Sequence, residues 1–284
     1  MTDFHGLFEL EEKIHVTDIG AAAIAEKPIY MSLIEAQAAY LSAFDGDQRQ
    51  TDGIKAAFGD QVRHFEEFIF DGTIQTAYIT TSESGMSSLL KPNPTALKFF
   101  NGFPHFGTVL EEKQVETTAL DSLDQLSSID FLKMDVQGAE LKILQCGESK
   151  LNACLSVQLE VPFVCLYEDQ PTFGQIDTWL RNQGFAPHCF LEVKRWSIAP
   201  TVFRGDFRAA GNQLLEADIV YVKDPLDINS FSDLQLKKLA FIADMSLHSV
   251  DLCVHLIREL VSRNTLPRGS AERYLQSRMK PAPQ

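Results

Sequence analysis

Residues 131–140 read FLKMDVQGAE, and the reading of the fold turns on them. A short apolar run ends in Asp135, then come Gly138 and the helix-forming pair Ala139-Glu140, and apolar residues recur at Leu141, Ile143 and Leu144. That order predicts a buried strand ending at Asp135, a tight turn at Gly138 and a helix beyond it. In open α/β sheets ligands bind just outside the carboxyl ends of the strands, so Asp135 is expected to face a site.

Working outward, LSVQLEVPFV (155–164) is a second strongly apolar strand, and AELKILQCGESKL (139–151) is the helix that joins the two into a βαβ unit. KIHVTDIG (13–20) and AAYLSAFD (38–45) read as the first two strands of the chain. QVRHFEEFIF (61–70) and TIQTAYITT (73–81) read as one strand each, separated by the turn signal Asp71-Gly72. PTFGQIDTWLRNQGF (171–185) predicts a helix with Pro171 near its start and Gly184 closing it, and FAPHCFLEV (185–193) and EADIVYVKD (216–224) supply two late strands. Strands alternating with helical segments imply a largely parallel sheet covered by helices.

After Pro225 the pattern is helical only. SDLQLKKLAFIADM (232–245) and HSVDLCVHLIREL (248–260) carry apolar residues at helical spacing, which predicts an appendage packed on the sheet or on a second copy of the chain. The last segment is polar and is expected to fray. The chain thus divides into an α/β domain over 1–225, a helical appendage over 226–266 and a polar tail over 267–284.

Composition narrows the function. With 284 residues, 45 % of them apolar, the chain can bury a large core, and a net charge of −14 disfavours nucleic acid and anionic membranes as partners. The sequence has no membrane-length apolar run and no signal-like start, and its five scattered cysteines suit reduced core thiols, so a cytoplasmic location is expected.

Gly20 and Asp45 stand 25 residues apart at the ends of the first two strands. In nucleoside-binding α/β folds such a glycine turn approaches the cofactor, and such an acid accepts ribose hydroxyls. The turn reads Gly20-Ala21-Ala22-Ala23, without the later glycines that a pyrophosphate needs, which disfavours a dinucleotide and an NAD oxidoreductase. S-adenosylmethionine, a nucleoside without pyrophosphate and with a cationic sulfonium, suits a short glycine turn among carboxylates.

The stretch IDFLKMDVQGAELKIL, followed by SVQLEVPFVCLYEDQPTFGQIDTWLRNQGF, resembles the FkbM family of S-adenosylmethionine-dependent methyltransferases. DIGA at 18–21, SSLLKPN at 87–93 and TTALDSL at 117–123 agree, so the resemblance spans residues 13 to 224. It implies a class I methyltransferase fold: an α/β, Rossmann-like, seven-stranded and mainly parallel sheet with flanking helices. It also implies methyl transfer to a hydroxyl of a sugar or polyketide-like acceptor. Asp18, Gly20 and Ala21 then belong to the cofactor turn, Asp45 to the ribose and Asp135 to the signature carboxylate. The chain departs from the family pattern in its brief segment between first turn and second strand, and in AFD where FEP is common.

A base must take the hydroxyl proton. Asp135 is the first candidate, with helix capping as its alternative role, and Glu160, at the end of the neighbouring strand, is placed to share the acceptor. Glu140, in the first helical turn, reads as structural. His105 and His188 are candidate bases by chemistry, and Ser87, Ser88 and Tyr167 are candidate acceptor contacts. No metal site is expected, although Asp135 and Glu160 together are compatible with a divalent ion. A catalytically idle scaffold of the same fold is the alternative to an enzyme, and a homodimer through the C-terminal helices is one use of the appendage.

Overall fold

The computed structural model describes residues 2–21, 27–46, 62–81 and 84–279. The two strands around the opening stretch form as the sequence predicts: β9 (Phe131–Met134) and β10 (Ser156–Pro162) run parallel, in register Leu132↔Val157 and Met134↔Leu159. Leu132 and Met134 of β9 and Val157, Leu159 and Val161 of β10 form one apolar face under a helical layer, while Lys133, Gln158 and Glu160 lie on the other. The first two predicted strands are β3 (Ile14–Ile19) and β4 (Ala39–Phe44), and β5 (Val62–Phe65) forms the edge beyond them.

At the other side stand β12 (Gln213–Lys223) and the edge strand β11 (Phe185–Trp196). The order β11-β12-β10-β9-β3-β4-β5 makes seven strands, with β12 alone antiparallel to its neighbours. This is the expected class I methyltransferase topology.

Two apolar layers sandwich the sheet. On one face lie α1 (Met31–Glu35), α7 (Asp233–Met245), α8 (Val250–Ser262) and α9 (Ser270–Met279), with the N-terminal hairpin of β1 (Thr2–Phe4) and β2 (Phe8–Leu10). Leu236, Leu239, Leu252, Leu256, Ile257 and Leu260, the apolar stripe read from sequence, are buried within the one chain. On the other face, Ile143 and Leu144 of α4 (Glu140–Gln145) and Ile176 and Leu180 of α6 (Phe173–Asn182) pack on Val157, Leu159 and Val161 of β10.

Three local readings change. The stretch 61–70 is not one strand: its second half is β6 (Phe68–Phe70), which leaves the main sheet for a three-stranded sheet with β7 (Ile74–Ile79) and β8 (Glu111–Ala119), order β6-β8-β7. The helix over 139–151 breaks at Gly147 into α4 and α5 (Glu148–Leu151), because the 147 backbone presses on Leu120 and a Cβ there would sit 2.4 Å from its side chain.

The polar end is also ordered over α9: Tyr274 is fully buried, donates to Asp244 Oδ1 at 2.7 Å and stacks on Phe4. Its periodic polar residues face solvent, while Ala271 and Tyr274, one turn apart, bind it to the core. Among the described residues no helix is long and apolar enough to cross a membrane.

Candidate active site

The turn after β3 is built by contact. Gly20 has φ +77°, and a Cβ on it would lie 2.0 Å from the carbonyl oxygen of Asp135, so only glycine lets the two strand ends meet. Asp135 N–H donates to Ile19 O at 3.0 Å and Gly20 N–H to Phe44 O at 2.9 Å, which ties the ends of β9, β3 and β4 together. Ala21, the next residue of the turn, is buried against the sheet, and Ala22 and Ala23 lie outside the described residues.

Beyond these strand ends opens a cavity of about 560 Å³, a size that suits a small-molecule ligand. Asp45 and Gly46 line one end, with Glu67, Phe68 and Ile69 from the segment joining the two sheets. Phe68 lies against Gly46, where a Cβ would come within 2.2 Å of its ring. At the other end stand Asp135, Val136 and Gln137 after β9, Glu160 of β10, Lys194 and Trp196 of β11, and Glu216 of β12. Phe103 and Phe106 of α3 (Phe103–Phe106), which follows the short α2 (Pro94–Leu97), close that end, with the Phe103 ring edge-on to Trp196 at 5.2 Å.

The electrostatics of that end are unusual. Lys194 Nζ sits 3.2 Å from Glu160 Oε2 and 2.8 Å from Glu216 Oε1, one cation between two largely buried carboxylates. Burial, with Glu216 and Asp135 adding repulsion, holds the Glu160 carboxyl well above the usual carboxylate range against the pull of Lys194. Asp218, directly opposite Glu160 across the β10–β12 pair, is pushed up to about 6, first by burial.

Asp135, Glu160, Gly20 and Asp45 are thus brought to one cavity, as are Ser87 and Ser88. Ser87 Oγ accepts from Thr80 N–H at 3.0 Å, and Ser88 Oγ donates to the carbonyl of Gln137 at 2.7 Å. Tyr167 lies behind the wall, 3 % exposed, and reaches the site through Gln137.

Asp18 points away from the cavity. It is buried beside Lys133, 3.1 Å from its Nζ, and accepts from the Tyr30 hydroxyl. Burial alone would lower Lys133, but Asp18 and then Asp135 hold it above its ordinary value.

Other candidates lie elsewhere. His105 is on the solvent side of α3, outside the cavity that its neighbours Phe103 and Phe106 line. His188 packs toward α8, where burial lowers it against the opposing pull of Asp251. Glu140 is buried under the turn, where its Oε1 accepts from Val136 and Gly138 N–H, each at 3.2 Å. Burial pushes that carboxyl up to about 7 although these donors pull it down, and its role is to clip the turn. Among the described residues no group of three or more His, Cys, Asp or Glu side chains is placed to hold a metal ion.

The sequence reading missed Glu67, Phe68, Gln137, Lys194 and Glu216. Only Gln137 carried a local signal, its place inside the 131–140 stretch. The others reach the cavity through strand order and the second sheet.

This sheet order, with a cavity over the carboxyl ends of β3, β4, β9 and β10, defines the class I methyltransferase fold. The family described as Methyltransferase FkbM domain matches residues 30–187, more than half of the chain, and the protein belongs to that family. No curated protein matches the chain. Among solved structures it is similar to a putative methyltransferase from Thermoplasma acidophilum, 11 % identical, covering 76 % of this chain and 70 % of that one, TM-score 0.37. It is also similar to magnesium protoporphyrin IX methyltransferase (ChlM) from Synechocystis PCC 6803 with bound SAM, 12 % identical, covering 75 % and 71 %, TM-score 0.37. A third is an uncharacterized protein from Listeria monocytogenes serotype 4b, 12 % identical, covering 93 % and 87 %, TM-score 0.39.

Proposed function

We propose that the protein is an S-adenosylmethionine-dependent O-methyltransferase acting on a hydroxyl of a sugar or polyketide-like acceptor. The observation that carries this reading is the single cavity that joins Asp45 at one end to Asp135 and Glu160 at the other. Its residues fit the cofactor: a carboxylate after β4 for the ribose hydroxyls, the Phe68 ring and Ile79 for a flat base, and a close-packed glycine turn between them. When bound, S-adenosylmethionine supplies a methyl group activated by a sulfonium.

The chain's own residues then hold and deprotonate the acceptor. Asp135 orients the hydroxyl and takes its proton as the new oxygen–carbon bond forms, while the wall of Phe103, Phe106, Trp196 and Leu166 keeps water from the reacting oxygen. Glu160, whose carboxyl is raised by burial, lines the same cavity and shares the acceptor site with Asp135. Ser87 and Ser88 contact the acceptor, and Tyr167 acts from behind through Gln137. Asp18 and Ala21 shape the cofactor turn from beneath. His105 has no part in this scheme.

We place the activity in the cytoplasm, which accords with five unpaired cysteines; burial pushes the thiols of Cys154 and Cys253 up to about 12.

Calorimetric titration of S-adenosylhomocysteine tests the reading. Micromolar binding is expected, with a loss of about tenfold or more in Asp45→Ala, since a good hydrogen bond to a charged group contributes at least about 1.4 kcal/mol. NADH should give no heat of binding. If the homocysteine product binds neither protein, the chain is a non-catalytic relative of this family.

A further inference from the structure

The turn after β9 holds a residue in a costly shape. Gln137 has φ +56°, a left-handed backbone that residues with side chains rarely adopt, and Ser88 Oγ donates to its carbonyl at 2.7 Å. Its side-chain Nε2 donates to Asp135 Oδ1 at 2.7 Å, and its Oε1 is 3.1 Å from the Tyr167 hydroxyl. Tyr167 is fixed in turn, because its N–H and that of Leu166 both donate to Gln170 Oε1, at 3.2 and 2.7 Å. Gln170 lies on Gly138, where a Cβ would meet its amide at 3.1 Å. A continuous run of polar contacts therefore links the loop after β10 to Asp135.

The direction of the Gln137 amide follows from chemistry. A carboxylate only accepts, so the NH₂ end must face Asp135, since the flipped amide would set two acceptor oxygens 2.7 Å apart. The phenol can donate to the oxygen end or to Met86 O, which lies 3.2 Å from it. Among the described residues Asp135 Oδ2 has no hydrogen-bond donor.

We propose that Gln137 is a positioning residue for Asp135: its amide, braced by Tyr167, occupies Oδ1, fixes the rotation of the carboxylate and leaves Oδ2 to take the acceptor's proton. This rests on the reading of Asp135 as the proton acceptor. In this chain a carboxyl at 137 would face Asp135 at hydrogen-bond distance, and the two carboxyls would share a proton to higher pH than either alone.

Thermal unfolding from pH 4.5 to 8.5 tests this without any acceptor, using wild type, Gln137→Glu, Gln137→Met and the exchanged pair Asp135→Asn/Gln137→Glu. A carboxyl with a raised folded-state pKa loses stability as pH rises from its unfolded toward its folded value. Gln137→Glu should therefore approach wild type at pH 4.5 and fall behind it by about 5 °C or more at pH 8. The deficit of Gln137→Met should not change with pH, and the exchanged pair, again one amide facing one carboxylate, should lose the slope.

A deficit in Gln137→Glu that is flat across pH, or a slope that survives in the exchanged pair, overturns the inference. If Gln137→Glu gives no folded protein above pH 7, the exchanged pair decides: recovered folding supports the contact and failure to recover refutes it. S-adenosylhomocysteine binding to wild type keeps the two claims apart. Binding without the slope refutes only this inference, whereas the slope without binding refutes the enzyme reading and with it the role given to Asp135.

Discussion

Replacing Gly20 with alanine puts a methyl group where the end of β9 already lies. Two penalties are separable. The first is conformational: φ +77° is open to glycine and costs an L-residue about 1–2 kcal/mol. The second is steric: the new Cβ would be 2.0 Å from Asp135 O, where real contacts do not fall below 3.0 Å, and the obstacle is backbone and cannot rotate away. The strand ends must part by about 1 Å, which weakens the bond from Asp135 N–H to Ile19 O, now 3.0 Å, at a further cost of about 1 kcal/mol.

The expected loss for Gly20→Ala is about 3 kcal/mol. Gly269→Ala is the control, with φ +83° and nothing within 4 Å of its Cβ, so it carries the conformational penalty alone, about 1–2 kcal/mol. Urea unfolding followed by the fluorescence of Trp179 and Trp196 measures both. Equal losses in the two variants would refute the close approach of β3 and β9, and with it the account of why the turn after β3 begins on glycine.

Lys194→Met removes the one cation between Glu160 and Glu216 while keeping the stem that packs the wall. The Glu160 carboxyl, already raised by burial, should then hold its proton to still higher pH, so the stability deficit is small near pH 4.5 and grows to about 2 kcal/mol by pH 8, discounted for the partial exposure of the lysine. Urea midpoints across that range check it, and a deficit that shrinks as pH rises would contradict it. Tyr274→Phe removes the hydroxyl donor to buried Asp244 Oδ1, which keeps Arg278 at 2.9 Å, and should cost about 1 kcal/mol; a neutral result would mean that α9 does not anchor the C-terminal end.

The central sheet was legible because its strands are largely buried and rich in large apolar residues. FLKMD places Phe131, Leu132 and Met134 in four positions, LSVQLEV alternates Val157, Leu159 and Val161 with polar residues, and the turn residues between them name a βαβ unit without tertiary knowledge. β8 left no such trace: in EEKQVETTA only Val115 and Thr117 are buried, so there is little alternation to read. The split of 61–70 was hidden for a related reason, since both halves are aromatic and the choice of sheet is made by Phe65 stacking on Phe44 and by Phe68 covering Gly46. α9 was read as a fraying tail because its periodic face is only Ala271 and Tyr274, and the partner that makes Tyr274 a core residue, Asp244, lies thirty positions away.

The distribution of buried charge separates the site from the scaffold. Away from the cavity each buried charge has its own counter-ion or donors: Asp130 with Lys238 at 2.9 Å, Asp18 with Lys133 at 3.1 Å, Asp244 with Tyr274, His5 and Arg278. At the cavity end that rule fails. Glu160, Asp218 and Glu192 stand side by side across three strands in one register, Asp135 and Glu216 lie close enough to raise Glu160, and Lys194 is the nearby cation that opposes them. Like charges set directly across a sheet destabilise it, so selection for stability alone would have replaced some of them. Under the proposed function this is where the chain gives up stability for chemistry, so neutralising Glu160 should stabilise the fold and slow turnover, whereas neutralising Asp218, which does not line the cavity, should stabilise the fold alone.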